Sequence, residues 1–200
     1  MELKFVKSLT PDDVFGNWRK MEENVEHWKP FWEAKGHKSW EEWRKKTHAP
    51  LFAQKLKWGL YEIPEPLLTI PEWRGGMFHG WSKWFYCPFE EQPPRLKDLL
   101  AHPGIHNHWY IREIANNFKD PETTLTATRL PNGDVCIAEG MHRACAIAMM
   151  AHDNKPLSSK VFVMLADWPD NTSPRLGNWE KWRFVPWSRN RQLIFNIEIL

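Results

Sequence analysis

An α+β fold, a small mixed sheet with helices packed around it, is what this sequence predicts, and three observations predict it. Residues 123–130 are rich in β-branched side chains and residues 135–138 are short and apolar, with Asn132-Gly133 between them, the strongest short signal for a β-hairpin and its type I′ turn. Glu139-Gly140 then breaks the strand pattern, and residues 141–151, Ala- and Met-rich without a breaker, predict a helix. Upstream lies the third observation: 14 tryptophans in the chain, seven of them before residue 75, at helical rather than alternating spacing. The expected organisation is a Trp-rich helical N-terminal extension over residues 1–60, a core over 61–166 and a C-terminal extension, a wrap, over 167–200.

The first helix is expected over residues 10–36, bent at Pro30. Thr10 suits the N-cap, Pro11 the first helical position, and Asp12 and Asp13 complement the dipole. Val14, Trp18, Met21, Val25 and Trp28 then fall on one face. Ser39-Trp-Glu-Glu42 reads as a capping box opening a second helix through Lys46, with Trp40 and Trp43 on one side of it. Two readings of these tryptophans compete. They are large packing residues of a helical layer docked on the sheet, or they stack on bases among Lys20, Lys29, Lys35, Lys38, Arg44, Lys45 and Lys46. Acidic residues are as frequent there, so packing is preferred.

Residues 50–94 carry many prolines and aromatics, which predicts short regular structure, with the first core strand at 67–70 or at 83–87 and a turn at Gly75-Gly76. Short helices are expected over 95–101 and 109–118, and an apolar strand over 160–165. Residues 192–200 look like a terminal strand that could pair with the core sheet or with a second subunit, as a homodimer, but a C-terminal wrap packed against the Trp-rich helices is the preferred reading.

With 27 basic and 25 acidic residues the chain has no polybasic coat for nucleic acid, although a local patch is compatible with the count. Cys87, Cys136 and Cys145 form no C-x-x-C pair, which points to a reducing compartment. Neither a signal peptide nor an 18-residue apolar stretch is legible, so no membrane partner is expected and the location expected is cytoplasmic.

The chemistry is expected where the strand feeds the helix. The first turn of a helix has N–H groups without intrahelical partners and the positive end of the dipole, so it accepts an anion, phosphate above all. Gly140 removes the Cβ that would keep a phosphate off the backbone, Arg143 offers a bidentate permanent charge, and His142 a second donor. The competing reading is a plain βα turn in which Arg143 pairs with Glu139. Elsewhere, His102, His106 and His108 lie within seven residues and could ligate zinc, but no fourth ligand stands at motif spacing. A loop beside a nucleotide, with a histidine stacking on a base or moving a proton, is preferred there.

The segment Leu130-Pro-Asn-Gly-Asp-Val-Cys-Ile-Ala-Glu-Gly-Met-His-Arg-Ala-Cys-Ala resembles the strand, turn, strand, Gly-x-His/Arg-Arg, helix of the ParB/sulfiredoxin superfamily, and Glu91-Gln-Pro-Pro-Arg95 loosely echoes the Gln-Pro-Arg segment of ParB proteins. The resemblance implies a ParB/sulfiredoxin-like core that binds a nucleoside triphosphate or diphosphate with Mg²⁺. It implies phosphate contacts at Gly140, Met141, His142 and Arg143, and at Arg95. Met141 stands where sulfiredoxins place a catalytic cysteine, and a thioether forms no thiolate, so sulfiredoxin activity is excluded. Only 35 residues follow Leu165, too few for the helix-turn-helix and dimerisation regions of a partition protein.

The activity expected is therefore an NTP-dependent phosphotransferase or NTPase, with Glu139 and His142 as catalytic residues and Glu62, Glu65 and Asp98 as other carboxylates that could act as base. A nucleic-acid-binding or nuclease-like protein is the first alternative, and a non-catalytic interaction module the second.

Overall fold

The computed structural model describes residues 2–23, 28–53, 56–86, 92–169 and 174–176. In chain order they form β1 (Lys4–Leu9), α1 (Pro11–Glu22), α2 (Trp28–Glu33), α3 (Trp40–Thr47), α4 (Ala49–Ala53) and β2 (Trp58–Glu62). Then come α5 (Pro66–Thr69), a 3₁₀ turn (Ile70–Glu72), β3 (Met77–Phe78), α6 (His79–Phe85), α7 (Leu96–Leu99), α8 (Pro103–His106) and α9 (Trp109–Asn116). The remainder is β4 (Glu122–Arg129), β5 (Val135–Glu139), α10 (Met141–His152), β6 (Lys160–Asp167) and β7 (Arg175–Leu176).

Five strands make one mixed sheet in the order β1-β2-β6-β4-β5, in which β4 and β6 run parallel and the other neighbours antiparallel. The β4–β5 hairpin, α10 and β6 follow one another as the sequence predicts. The hairpin turn differs from expectation. Gly133 has φ +88°, but Asn132 is not left-handed, and Gly133 N–H donates to the Leu130 carbonyl while Leu130 N–H donates to the Asp134 carbonyl. Pro131, whose ring fixes a negative φ, makes this a type I turn followed by a left-handed glycine, rather than type I′.

Alternation along the strands splits the interior into two layers. Leu125, Ala127, Ile137, Val161, Val163 and Leu165 face one side, beneath α10 and the short helices around it. Trp58, Cys136, Ala138, Met164 and Ala166 face the other, where Val14 and Trp18 of α1 and Trp40 and Trp43 of α3 cover them. Trp18, Trp40 and Trp43 are thus packing residues. Trp18 is wholly buried, and its indole N–H donates to Thr126 Oγ1 at 2.7 Å. Trp18→Phe is expected to cost about 1–3 kcal/mol by orphaning that hydroxyl, read as a lower denaturant midpoint with an unchanged slope.

Both helix starts have the N-cap expected, but the second is not the box expected. Thr10 and Asp13 form a reciprocal capping box, whereas Ser39 Oγ accepts the Glu42 N–H and the Glu42 carboxylate accepts the Lys38 N–H in place of the Ser39 N–H. Of the span 10–36, the described residues contribute α1 and α2, and residues 24–27 lie outside the described set. The two places expected for a first core strand are also helical. Residues 67–70 fall in α5 and the 3₁₀ turn, with Pro66 the first residue of α5 and Pro71 the second of the turn, and 83–85 fall in α6. The strands that complete the sheet are β1 and β2, so the expected boundary after residue 60 runs through β2 and the first residues supply a sheet edge. Residues 192–200 lie outside the described residues. No described helix is long and apolar enough to cross a membrane. Cys136 and Cys145 are buried, and burial pushes the Cys145 thiol far up.

Candidate functional site

The corner between β5 and α10 is built around Gly140, at φ +89° and ψ +26°. A side chain there is excluded twice. The left-handed backbone strains any L-residue, and a Cβ would lie 2.7 Å from Leu125 Cδ2 and 3.2 Å from Arg143 Nη2. The Ala144 N–H makes the first intrahelical bond, to the Gly140 carbonyl at 2.9 Å, so the amides of Met141, His142 and Arg143 precede the helical ladder. Glycine offers them no capping side chain.

Arg143 folds back over this corner onto the strand that precedes it. Its Nη2 donates to both Glu139 oxygens at 2.8 Å and its Nη1 to Thr123 Oγ1 at 3.2 Å. The two side chains are 15% and 9% exposed, so this is an interior pair. The reading in which Arg143 pairs with Glu139 is therefore the observed one, and the expectation of a guanidinium open to phosphate is corrected. Four residues apart, the strand end and the first helical turn are near enough for the pair to close. Burial raises the Glu139 carboxyl above its ordinary range, and Arg143 opposes that shift.

A second pair sits within electrostatic reach. Arg44 Nε donates to Glu22 Oε2 at 2.5 Å and its Nη2 to Glu22 Oε1, while the Trp40 indole N–H donates to Glu22 at 3.0 Å. Glu22 pushes the Glu139 carboxyl further up and Arg44 pulls it down. The helical layer and the corner thus share one buried set of charges. No sequence signal ties Glu22 to Arg44, which lie on different helices.

His48, buried beside this set, is held well below 6.5, by burial first and then by Arg44. The unfolded chain therefore takes up this proton first as the pH falls. The neutral-histidine contribution is intact above about 6.5 and is lost as pH drops below it. The raised Glu139 acts with the opposite sign, weakening the fold as pH rises above 4.5 through its raised value. Melting temperature is expected to fall between pH 7 and pH 5, and His48→Gln to flatten that slope, in thermal unfolding across buffers.

Met141 is buried, and its thioether accepts the Gly76 N–H at 3.2 Å, so its side chain plugs the floor and only its amide remains for a ligand. His142, half-buried, is ringed by Trp81, Tyr110 and His108 with centroids at 5.3, 5.2 and 5.2 Å. Burial lowers the His108 and His102 imidazoles. His102 caps α8 by accepting the Gly104 N–H and packs on Phe85, whereas His106 is exposed. Among the described residues no three His, Cys, Asp or Glu side chains group to hold a metal, so the zinc alternative lacks a donor set there. Trp81 and Tyr110 belong to the site by position alone, and nothing in the sequence singled them out.

Arg95 is not at the corner. Its Nη2 donates to Asp134 at 3.3 Å and its Nη1 to the Glu72 carbonyl, and Arg74 holds the same carboxylate at 2.7 Å. Asp134 adjoins the opposite end of β5 from Gly140, a five-residue strand away, roughly 17 Å. Arg95 instead lines a cleft of about 250 Å³ with Tyr61, Trp73 and Arg129. Of the other candidate bases, Glu62 pairs with Lys4 at 3.5 Å, Glu65 precedes α5 and Asp98 is exposed on α7. No protein-family model, no curated protein and no solved structure matches the chain.

Proposed function

We propose that the chain is a nucleotide-binding protein of ParB/sulfiredoxin type whose ligand phosphates meet the first turn of α10, and that phosphoryl transfer or nucleotide hydrolysis is its activity class. The observation that carries this reading is Gly140, left-handed and without room for a Cβ, opening a 12-residue helix beside a half-buried histidine. In it the amides of Met141, His142 and Arg143 and the His142 ring meet the phosphates. Arg143 acts as a brace, clamping Glu139 and Thr123 and adding positive field without direct contact. His142 is the acid–base candidate. Glu139 can serve as base only if an incoming anion draws Arg143 away from it. The Glu139 carboxylate is committed to Arg143, so Mg²⁺ would arrive on the nucleotide and no step is assigned to it.

The closed Glu139–Arg143 pair favours a second reading, a non-catalytic module in which the turn is structural. The nucleic-acid reading is weaker, because Trp18, Trp40, Trp43 and Trp58 are buried and present no ring faces for bases. Thermal unfolding with ATP, ADP, CTP and GTP, with and without Mg²⁺, tests the proposal. A nucleotide at 100 times its Kd stabilises by about 2.7 kcal/mol, expected as a rise of roughly 5–10 °C. Phosphate release assays then separate enzyme from module, His142→Ala being expected to abolish turnover. No thermal shift with any nucleotide would sink the proposal.

A further inference from the structure

A ligand at the α10 turn leaves the cleft at the other end of the sheet unexplained. That cleft holds about 250 Å³, with Leu3, Tyr61 and Val135 among its walls and Arg95, Arg129 and Asp134 among its charged groups. Its acids are already matched. Asp134 accepts from Arg74 and from Arg95, and Glu72 pairs with Lys97 at 2.8 Å. Its donors are not. Arg129 engages Asp167 through Nε at 2.7 Å, while its Nη1 and Nη2 meet no acceptor among the described residues, and the side chain is 43% exposed. Tyr61 lies within electrostatic reach of that guanidinium, and its hydroxyl likewise has no partner among the described residues.

The phenol is held in place by what is missing beneath it. A Cβ on Gly59, two residues earlier on the same face of β2, would lie 2.7 Å from Tyr61 Cε2 and 3.1 Å from its oxygen. The bare backbone therefore lets the ring lie along the strand, toward the end where Arg129 and Asp167 pair. Phe5, opposite Tyr61 on β1, packs edge-on against the ring at 5.5 Å. A guanidinium edge and a phenol O–H facing one cleft select an acceptor with two oxygens in a plane, which is a carboxylate. The volume selects a small one. At roughly 30 Å³ per water the cleft holds about eight waters, and it falls below the roughly 300 Å³ at which sites for drug-sized ligands begin.

The geometry points to this cleft as a binding site for a small organic carboxylate. Its oxygens are held by Arg129 Nη1 and Nη2 and the Tyr61 hydroxyl, and its apolar body lies against Leu3 and Val135. The site is separate from the α10 turn and stands whether or not a phosphate binds there.

Amide-resolved NMR titration of the full chain with phenylacetate, its neutral counterpart 2-phenylethanol, acetate and inorganic phosphate tests it. Phenylacetate is expected to bind at least about tenfold more tightly than each of the other three, with shifts centred on Tyr61, Arg129 and Val135. Arg129→Gln is expected to lower phenylacetate affinity at least about tenfold, and Tyr61→Phe by about three- to tenfold, both with melting temperatures close to the parent's. 2-Phenylethanol binding as tightly as phenylacetate would overturn the proposal, as would unchanged phenylacetate affinity in either variant. Phosphate binding more tightly than phenylacetate would make the cleft an inorganic oxyanion site and overturn the organic ligand. No shift at the cleft with any of the four at about 10 mM would overturn the site altogether.

Discussion

Gly140→Val is expected to cost about 2–6 kcal/mol, among the largest effects of any substitution in this chain. A β-branched residue held in the left-handed region costs about 1–3 kcal/mol. Its Cβ would also press to 2.7 Å on Leu125 Cδ2, a wholly buried side chain whose neighbours leave it little freedom. Overpacking of that kind adds about 1–3 kcal/mol. Gly16→Ala provides the contrast, since Gly16 sits inside α1 and a methyl group placed there would meet nothing within 4 Å. That change is expected to be neutral or to stabilise by about 0.4–1 kcal/mol. Denaturant unfolding of the two variants beside the parent decides it. Similar midpoints for both would show that the corner is not built as described.

Removing one partner of the Glu139–Arg143 pair is expected to be as damaging. Glu139→Ala leaves a guanidinium that is 15% exposed without its carboxylate, a loss of about 3–5 kcal/mol. Replacing both by apolar residues, as Glu139→Leu with Arg143→Met, is expected to cost far less than the sum of the two single losses. A double-mutant cycle by chemical denaturation measures the difference. Additive losses would mean that the two side chains do not share a buried interaction. The same cycle bears on function. Arg143→Ala that folds normally but fails to bind nucleotide would make Arg143 a direct ligand after all, and the brace would have to be abandoned.

The hairpin, the glycine corner and α10 were legible in the sequence because each has a local cause. Asn132-Gly133 needs a turn, Gly140 a positive φ, and the Ala- and Met-rich run nothing but a helix. Helix starts at Thr10 and Ser39 were readable for the same reason, since a cap lies within three residues of the amide it satisfies. What could not be read depends on contacts between distant residues. β1 and β2 become strands by pairing with each other and with β6, and their sequences carry lysines, a glycine and isolated aromatics instead of clean alternation. Pro66 and Pro71 turned an apolar run that looked like a strand into helical turns. At the site, the spacing of Glu139 and Arg143 held the clue to their pairing. The neighbouring Glu22–Arg44 pair and the rings of Trp81 and Tyr110 reach the corner only through tertiary folding. Arg95 was placed at the turn by likeness of motif, and the length of β5 removes it.

The most direct measurement is an amide-resolved NMR titration of the isotope-labelled chain with ATP and CTP in the presence of Mg²⁺. The account predicts that the largest shifts fall on the N–H groups of Met141, His142 and Arg143. Shifts confined to the cleft of Arg95 and Arg129, or none at saturating nucleotide, would contradict it.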